Sequence, residues 1–123
     1  MKFGYPKEEK LKSKKQIDAL FTQGKNIYLF PLKLVFIETQ LAENETIKFG
    51  VSVSKRYFKK AVDRNYYKRI LRETYRLNKH ILTENHSNYA FMLLYVTSEK
   101  HSFKDVNDKV VKIFQKFSQT YKN

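Results

Sequence analysis

The sequence predicts an α+β domain in which helices cover one four-stranded, antiparallel-rich sheet. The residues from Ile47 to Ser54 alternate between apolar and small or polar side chains, which is typical of a half-buried strand. The run from Tyr89 to Val96 is continuously apolar and of strand length, as in a strand buried on both faces. After Ser102, apolar residues recur at helical spacing. A chain of 123 residues can bury a core as a single domain, which we assign to residues 1–123.

The first element is a short helix, predicted from Lys14 to Gln23. Ser13 can cap it, and Gln16, three positions later, completes a capping box. Gly24 can take the left-handed conformation that often ends a helix. The apolar residues of this helix share one face, so we expect that face to pack on the sheet.

Two strands are predicted next, near Ile27 to Leu29 and from Leu32 to Glu38. Pro31 lies between them and argues for a break, because proline cannot donate to a strand ladder. Both faces of the longer strand are largely apolar, so both are expected to be covered. In the next strand, Ile47 to Ser54, one face carries only lysine, glycine and serine, which lets a helix or a ligand approach the backbone closely.

The remaining elements complete the order α-β-β-β-α-β-α. A long helix is expected within the basic segment that follows Ser54, and the residues from His80 to Asn88 are predicted to form a polar loop. The strand at Tyr89 to Val96 follows. Ser102 caps the last helix, with Asp105 at its third position.

Positive charge is concentrated between Lys55 and Lys79. This segment holds ten Lys or Arg residues and two acidic residues, a net charge of +8 out of +13 for the chain. A helical wheel predicts an apolar face with Val62, Tyr66, Ile70, Thr74 and Leu77 and a basic face with Arg64, Asn65, Lys68, Arg69, Arg72 and Arg76. Neighbouring cations repel one another, so this basic face indicates a polyanionic partner; the alternative is an ordinary solvated face.

The sequence excludes several kinds of catalytic site. It has no cysteine, three histidines without metal-site spacing, and three glycines, too few for a phosphate-binding loop. The first ten residues lack an apolar signal region, and no apolar run is long enough to span a bilayer. We therefore expect a cytoplasmic nucleic-acid-binding domain, with no metal site and no catalytic residue of its own. Binding to an anionic membrane surface is the second hypothesis.

One stretch resembles a known family. Gly50-Val51-Ser52-Val53-Ser54-Lys55-Arg56, followed by AVDRNYYKRILRE from Ala61 to Glu73, is similar to the signature of the bacterial ribonuclease P protein component. That family shows a strand ending G-[VI]-S-V-S-K-[KR], a turn, and A-V-x-R-N-R-x-K-R-x-x-R-E on a helix. Tyr66 stands where the family usually has its second motif arginine, and the turn from Tyr57 to Lys60 is one residue longer and lacks its glycine.

The resemblance implies a ribosomal protein S5 domain 2-like fold with a left-handed βαβ crossover, against the right-handed base rate. It implies the non-catalytic subunit of an endoribonuclease, bound 1:1 to a catalytic RNA that cleaves with its own Mg²⁺ ions. The implied contacts to that RNA are Lys55, Arg56, Arg64, Asn65, Lys68, Arg69 and Arg72. Phe21 and Phe36 match aromatic positions that bind the 5′ leader of precursor tRNA between the first helix and the sheet; core packing is the alternative for each.

Two other functions remain open at this point. The chain could be a ribosomal or general RNA-binding protein without a role in cleavage. A membrane-surface binder is disfavoured, because strands on both sides can cover the apolar face of the basic helix.

Overall fold

The computed structural model describes residues 10–11, 14–38, 47–83 and 89–120. These residues form three helices and four strands in the predicted order. The elements are α1 (Lys14–Gln23), β1 (Lys25–Leu29), β2 (Leu32–Glu38), β3 (Lys48–Val53), α2 (Ala61–Thr83), β4 (Tyr89–Tyr95) and α3 (Phe103–Thr120). The predicted bounds of α1 and β2 are confirmed, whereas Ser13, its proposed cap, lies outside the described residues.

Two local predictions are corrected. The segment assigned to a loop from His80 onward continues α2 to Thr83, because Leu82 lies two turns after Tyr75 and is buried on the same side of the helix. Gly24 does end α1, but no described glycine has positive φ. A Cβ at position 24 would lie 2.3 Å from the carbonyl oxygen of Leu20, so glycine is required there for space.

The sheet has the strand order β1-β2-β4-β3. β1 and β2 form a hairpin in which Leu29 faces Leu32, so Phe30 and Pro31 make the turn where the sequence predicted a break. β2 pairs antiparallel with β4, and β3 pairs parallel with β4. Because β3 and β4 are parallel, α2 is the crossover between them.

The crossover is left-handed, as the resemblance implied. Consider the sheet viewed from the side that α2 covers, with β3 running upwards. An L-residue of β3 whose side chain points towards the viewer then directs its own N–H and C=O to the right. Phe49 is such a residue, since its ring stacks on Tyr75 of α2 with 3.8 Å between centroids. Its carbonyl accepts the N–H of Leu11 at 3.0 Å on the edge away from β4. β4 therefore lies to the left, against the usual preference.

Helices cover both faces of the sheet. α2 and α3 bury the larger core, in which Phe36, Phe91 and Phe117 meet edge to face at about 5 Å. α1 covers the other face, where Leu20 packs with Val35 and neighbouring apolar residues of β4. The predicted two-sided burial of β2 is thus confirmed.

Candidate nucleic-acid interface

The buried face of α2 matches the predicted one only in part, since Ile70 and Thr74 are buried as predicted. Tyr67, Leu71 and Tyr75 are buried in the larger core, whereas Val62 is 67% exposed and Tyr66 is 51% exposed. The helix is therefore rotated by roughly 100° from the predicted wheel. The wheel failed because it gave Val62 and Tyr66 core positions and left out the large rings of Tyr67 and Tyr75, which fill the space between helix and sheet.

The outward face of α2 combines cations with an amide. Asn65, Arg69 and Arg72 are exposed along this face, and Lys68 is half-buried at its edge. Arg69 and Arg72 are three residues apart and thus lie side by side on the helix. These four residues were predicted to contact RNA, and the structure places them together on one surface, which we call the α2 basic face.

The loop from Ser54 to Lys60 leads from β3 into α2 and extends this basic face. Phe58 anchors the loop, because its ring is buried and stacks on Tyr67 with 4.8 Å between centroids. The backbone N–H of Phe58 also donates to the carbonyl oxygen of Ser54 at 3.2 Å. The anchored loop leaves the cations exposed, namely Lys55, Arg56, Lys59 and Lys60.

The guanidinium of Arg64 is hydrogen-bonded to the protein backbone. Its Nη1 donates to the carbonyl oxygens of Phe58, at 2.9 Å, and of Lys59, at 2.7 Å. These bonds tie the start of α2 to the end of the loop. Arg64 therefore holds the backbone that presents Lys59 and Lys60, in addition to any contact with a phosphate.

Arg76 is neutralised by its own helix. Its Nε donates to Glu73 Oε2 at 3.0 Å, and its Nη2 contacts Glu73 Oε1. The hydrogen bonds from Arg76 hold the pKa of the Glu73 carboxyl below its usual value, and Glu73 in turn raises the pKa of Arg76. The predicted basic face therefore ends near Arg72, one turn earlier than the sequence indicated.

A groove of 400 Å³ lies between α1, the sheet and the start of the described chain. Its floor is formed at Gly50 and Met92, and Arg72 of the α2 basic face reaches its rim. A Cβ at Gly50 would lie 3.3 Å from the Cβ of Leu11 and 3.2 Å from the Cε of Met92, so a larger residue would crowd the floor. The small second face of β3 predicted from the sequence thus borders a groove. The groove is lined by Lys10, Leu11, Ile17, Gly50, Val51, Arg72 and Met92.

Beside this groove the sheet has an open row of side chains. The strand register places Tyr28, Lys33, Leu94 and Ser52 in line across all four strands on the α1 side, and we call them the sheet row. Tyr28 is 57% exposed, and the other three are half-buried. A cation next to an exposed aromatic ring suits a single-stranded nucleic acid, which offers phosphates and unstacked bases.

The two predicted leader-binding residues lie in different environments. Phe21 is 55% exposed on α1, one turn after Ile17, which lines the groove, so its ring is accessible to a ligand bound beside the groove. Phe36 is corrected: it is 2% exposed and points to the opposite side of the sheet, where its ring meets Phe117 at 4.9 Å. Alternation along β2 turns Phe36 away from α1, so its role is core packing.

Sequence reasoning missed three residues of this surface. Lys10 reaches the groove because residues 10–11 pair with the edge of β3, and no pattern in the sequence predicted that pairing. Tyr28 and Lys33 form a pair only through the β1–β2 register. That register follows from placing Phe30 and Pro31 in a two-residue turn, so it was available from the sequence in principle.

Neither a metal site nor a membrane span is found in the described part of the chain. Its His, Asp and Glu side chains form no cluster that could hold a metal ion. None of the three helices described is both long and apolar enough to cross a bilayer.

The chain is similar to known proteins over most of its length. A family model described as Ribonuclease P matches residues 5–118. The ribonuclease P protein component of Porphyromonas gingivalis is 35% identical over 113 residues, covering 85% of this chain and 79% of that protein. The component of Dictyoglomus thermophilum is 31% identical over 114 residues, covering 93% and 92%.

Solved structures show the same fold. The RNase P protein of Thermotoga maritima superposes with a TM-score of 0.72 at 20% identity, covering 88% of this chain and 96% of that chain. The Staphylococcus aureus RNase P protein superposes with a TM-score of 0.66 at 18% identity, covering 86% of this chain and 97% of that chain. With a family model that matches nearly the whole chain and relatives above 30% identity, the chain belongs to the ribonuclease P protein component family.

Proposed function

We propose that this chain is the cytoplasmic protein subunit of ribonuclease P and binds one catalytic RNA through the α2 basic face and the loop before it. The observation that carries the proposal is the position of Arg72. It belongs to the α2 basic face and also reaches the groove beside α1, so one cation joins two different surfaces. The first surface suits a folded RNA backbone, because it is cationic and held rigid by Phe58 and Arg64.

The second surface suits the single-stranded 5′ leader of precursor tRNA. Lys10 of the groove and Lys33 of the sheet row can bind phosphates, and the exposed rings of Phe21, on α1, and Tyr28, in the sheet row, can stack on bases. The protein then holds both RNAs in a fixed relation, with Arg72 between them. Cleavage of the phosphodiester is the work of the RNA and its Mg²⁺ ions, which are ligated by the RNA.

The leader assignment is tested by the double variant Phe21→Ala with Tyr28→Ala. In complex with the catalytic RNA, it should bind precursor tRNA more weakly by about 1–3 kcal/mol for each stacked base, while binding of mature tRNA is unchanged. Binding is measured by competition titration with the two tRNAs. Phe103→Ala is the matched control, since Phe103 is an exposed aromatic residue on α3, across the sheet. Equal losses for both tRNAs would place the leader elsewhere.

A further inference from the structure

The exposed aromatic residue at the start of α2 is explained neither by folding nor by charge. Tyr66 is half-exposed, and Val62, one turn earlier, is more exposed still. Neither residue contributes a cation or packs in the core. Arg69 follows Tyr66 by three positions and lies beside it on the helix, and Asn65, which directly precedes Tyr66, is exposed about 100° further round. The ring of Tyr66 thus lies next to groups that can bind phosphates.

The ring of Tyr66 is supported by rings that do not move freely. It meets Tyr67 edge to face, with centroids 5.0 Å apart and ring planes at 87°. Tyr67 itself is buried, stacks on Phe58 at 4.8 Å and lies 4.6 Å from Tyr95. A T-shaped contact occupies at most one face of a ring, so Tyr67 leaves at least one face of Tyr66 uncovered.

We propose that Tyr66 is a stacking site for one unpaired base of the catalytic RNA, with the neighbouring phosphates bound by Asn65 and Arg69. This assignment rests on the proposed function and adds a specific ligand group to it. An aromatic ring that is already buttressed loses little freedom when a base stacks on it, and stacking tolerates any of the four bases. Stacking releases no counterions, unlike the phosphate contact that an arginine at this position would make. The substitution of tyrosine for the motif arginine therefore exchanges a salt-dependent contact for a salt-independent one.

Three substitutions separate stacking from charge and from bulk. Tyr66→Phe keeps the ring, Tyr66→Leu keeps apolar bulk without the ring, and Tyr66→Arg restores the cation of the family motif. Each is titrated with the catalytic RNA at several salt concentrations, and a thermal melt checks that the exposed position leaves the fold intact.

We expect Tyr66→Phe to bind the RNA as the wild type does and Tyr66→Leu to bind about tenfold more weakly with an unchanged salt slope. Tyr66→Arg should steepen the slope of log affinity against log salt by about 1. The proposal is overturned if Tyr66→Leu binds like the wild type. It is also overturned if Tyr66→Phe loses as much as Tyr66→Leu, since the hydroxyl would then be the contact.

The same titrations distinguish this proposal from the function on which it rests. If the wild-type protein binds the catalytic RNA and raises its cleavage of precursor tRNA, while Tyr66→Leu binds equally well, the stacking proposal alone is refuted. If the wild-type protein neither binds the catalytic RNA nor raises its cleavage, the proposed function and the stacking site are both refuted. Val62→Ala is the matched control: it trims the neighbouring exposed side chain on the same face and should leave RNA affinity within about twofold, because it removes no ring.

Discussion

Leu71→Asp should prevent this protein from folding. Leu71 of α2 is fully buried in the larger core, so the substitution places a carboxylate where no water can reach it. The cost is several kcal/mol, against a total stability of about 5–15 kcal/mol for a domain of this size. Circular dichroism should show loss of the cooperative melt, and the soluble yield should fall.

Val62→Asp is the matched control, because it introduces the same carboxylate on the same helix. Val62 is exposed in the first turn of α2, where a negative charge is favoured by the helix dipole. The melting temperature should stay close to that of the wild type, although binding of RNA should weaken. If Val62→Asp fails to fold and Leu71→Asp folds, the helical wheel predicted from the sequence, with Val62 on the buried face, would be correct.

Arg69→Ala with Arg72→Ala should cause the largest loss of RNA affinity that leaves the fold intact. Both side chains are exposed on the α2 basic face, and their removal relieves repulsion between neighbouring cations. If each contacts one phosphate, the affinity should fall about 100-fold, and the salt slope should become shallower by about 2. Filter binding across a salt series measures both quantities, and an unchanged slope would contradict phosphate contact.

Arg64→Ala provides the contrast within the same motif. Since Arg64 donates to the carbonyl oxygens of Phe58 and Lys59, its removal should lower stability by about 1–3 kcal/mol and free the loop. Hydrogen exchange should therefore quicken at the amides from Arg56 to Lys60. The Arg69 and Arg72 variant should leave those amides unchanged. The same result for both variants would mean that Arg64 does not hold the loop.

Much of the fold was predictable because local signals agreed with the tertiary structure. Alternation along β3 predicted which of its side chains are buried, and helical spacing after Ser102 predicted α3. The predicted cap of α3 is present, since the Asp105 N–H donates to the Ser102 hydroxyl at 3.2 Å. The left-handed crossover was not predictable from periodicity, which carries no handedness. It came from the resemblance and is fixed by the carbonyl direction of Phe49.

The candidate site was predictable as a set of residues but not as a surface. The motif identified Asn65, Arg69 and Arg72 correctly as neighbours, because helical spacing alone brings them together. The wheel could not give the rotation of α2, since that depends on where Tyr67 and Tyr75 find space between helix and sheet. Such packing is a tertiary property.

Phe36 illustrates the same limit in a strand. Its side was known relative to Leu34 from alternation, but which side of the sheet α1 covers is decided by the packing of Leu20 on Val35. Truncation of Phe36 would therefore damage the core instead of testing the leader site.

The central claim is tested most directly by cleavage of precursor tRNA with the ribonuclease P RNA of the same organism at physiological Mg²⁺, with and without this protein. The account predicts that one equivalent of protein raises kcat/KM for precursor tRNA, and that the Arg69→Ala and Arg72→Ala variant requires a higher protein concentration for the same gain. A protein that binds the RNA tightly and leaves the cleavage rate unchanged would contradict the account and indicate a general RNA-binding role.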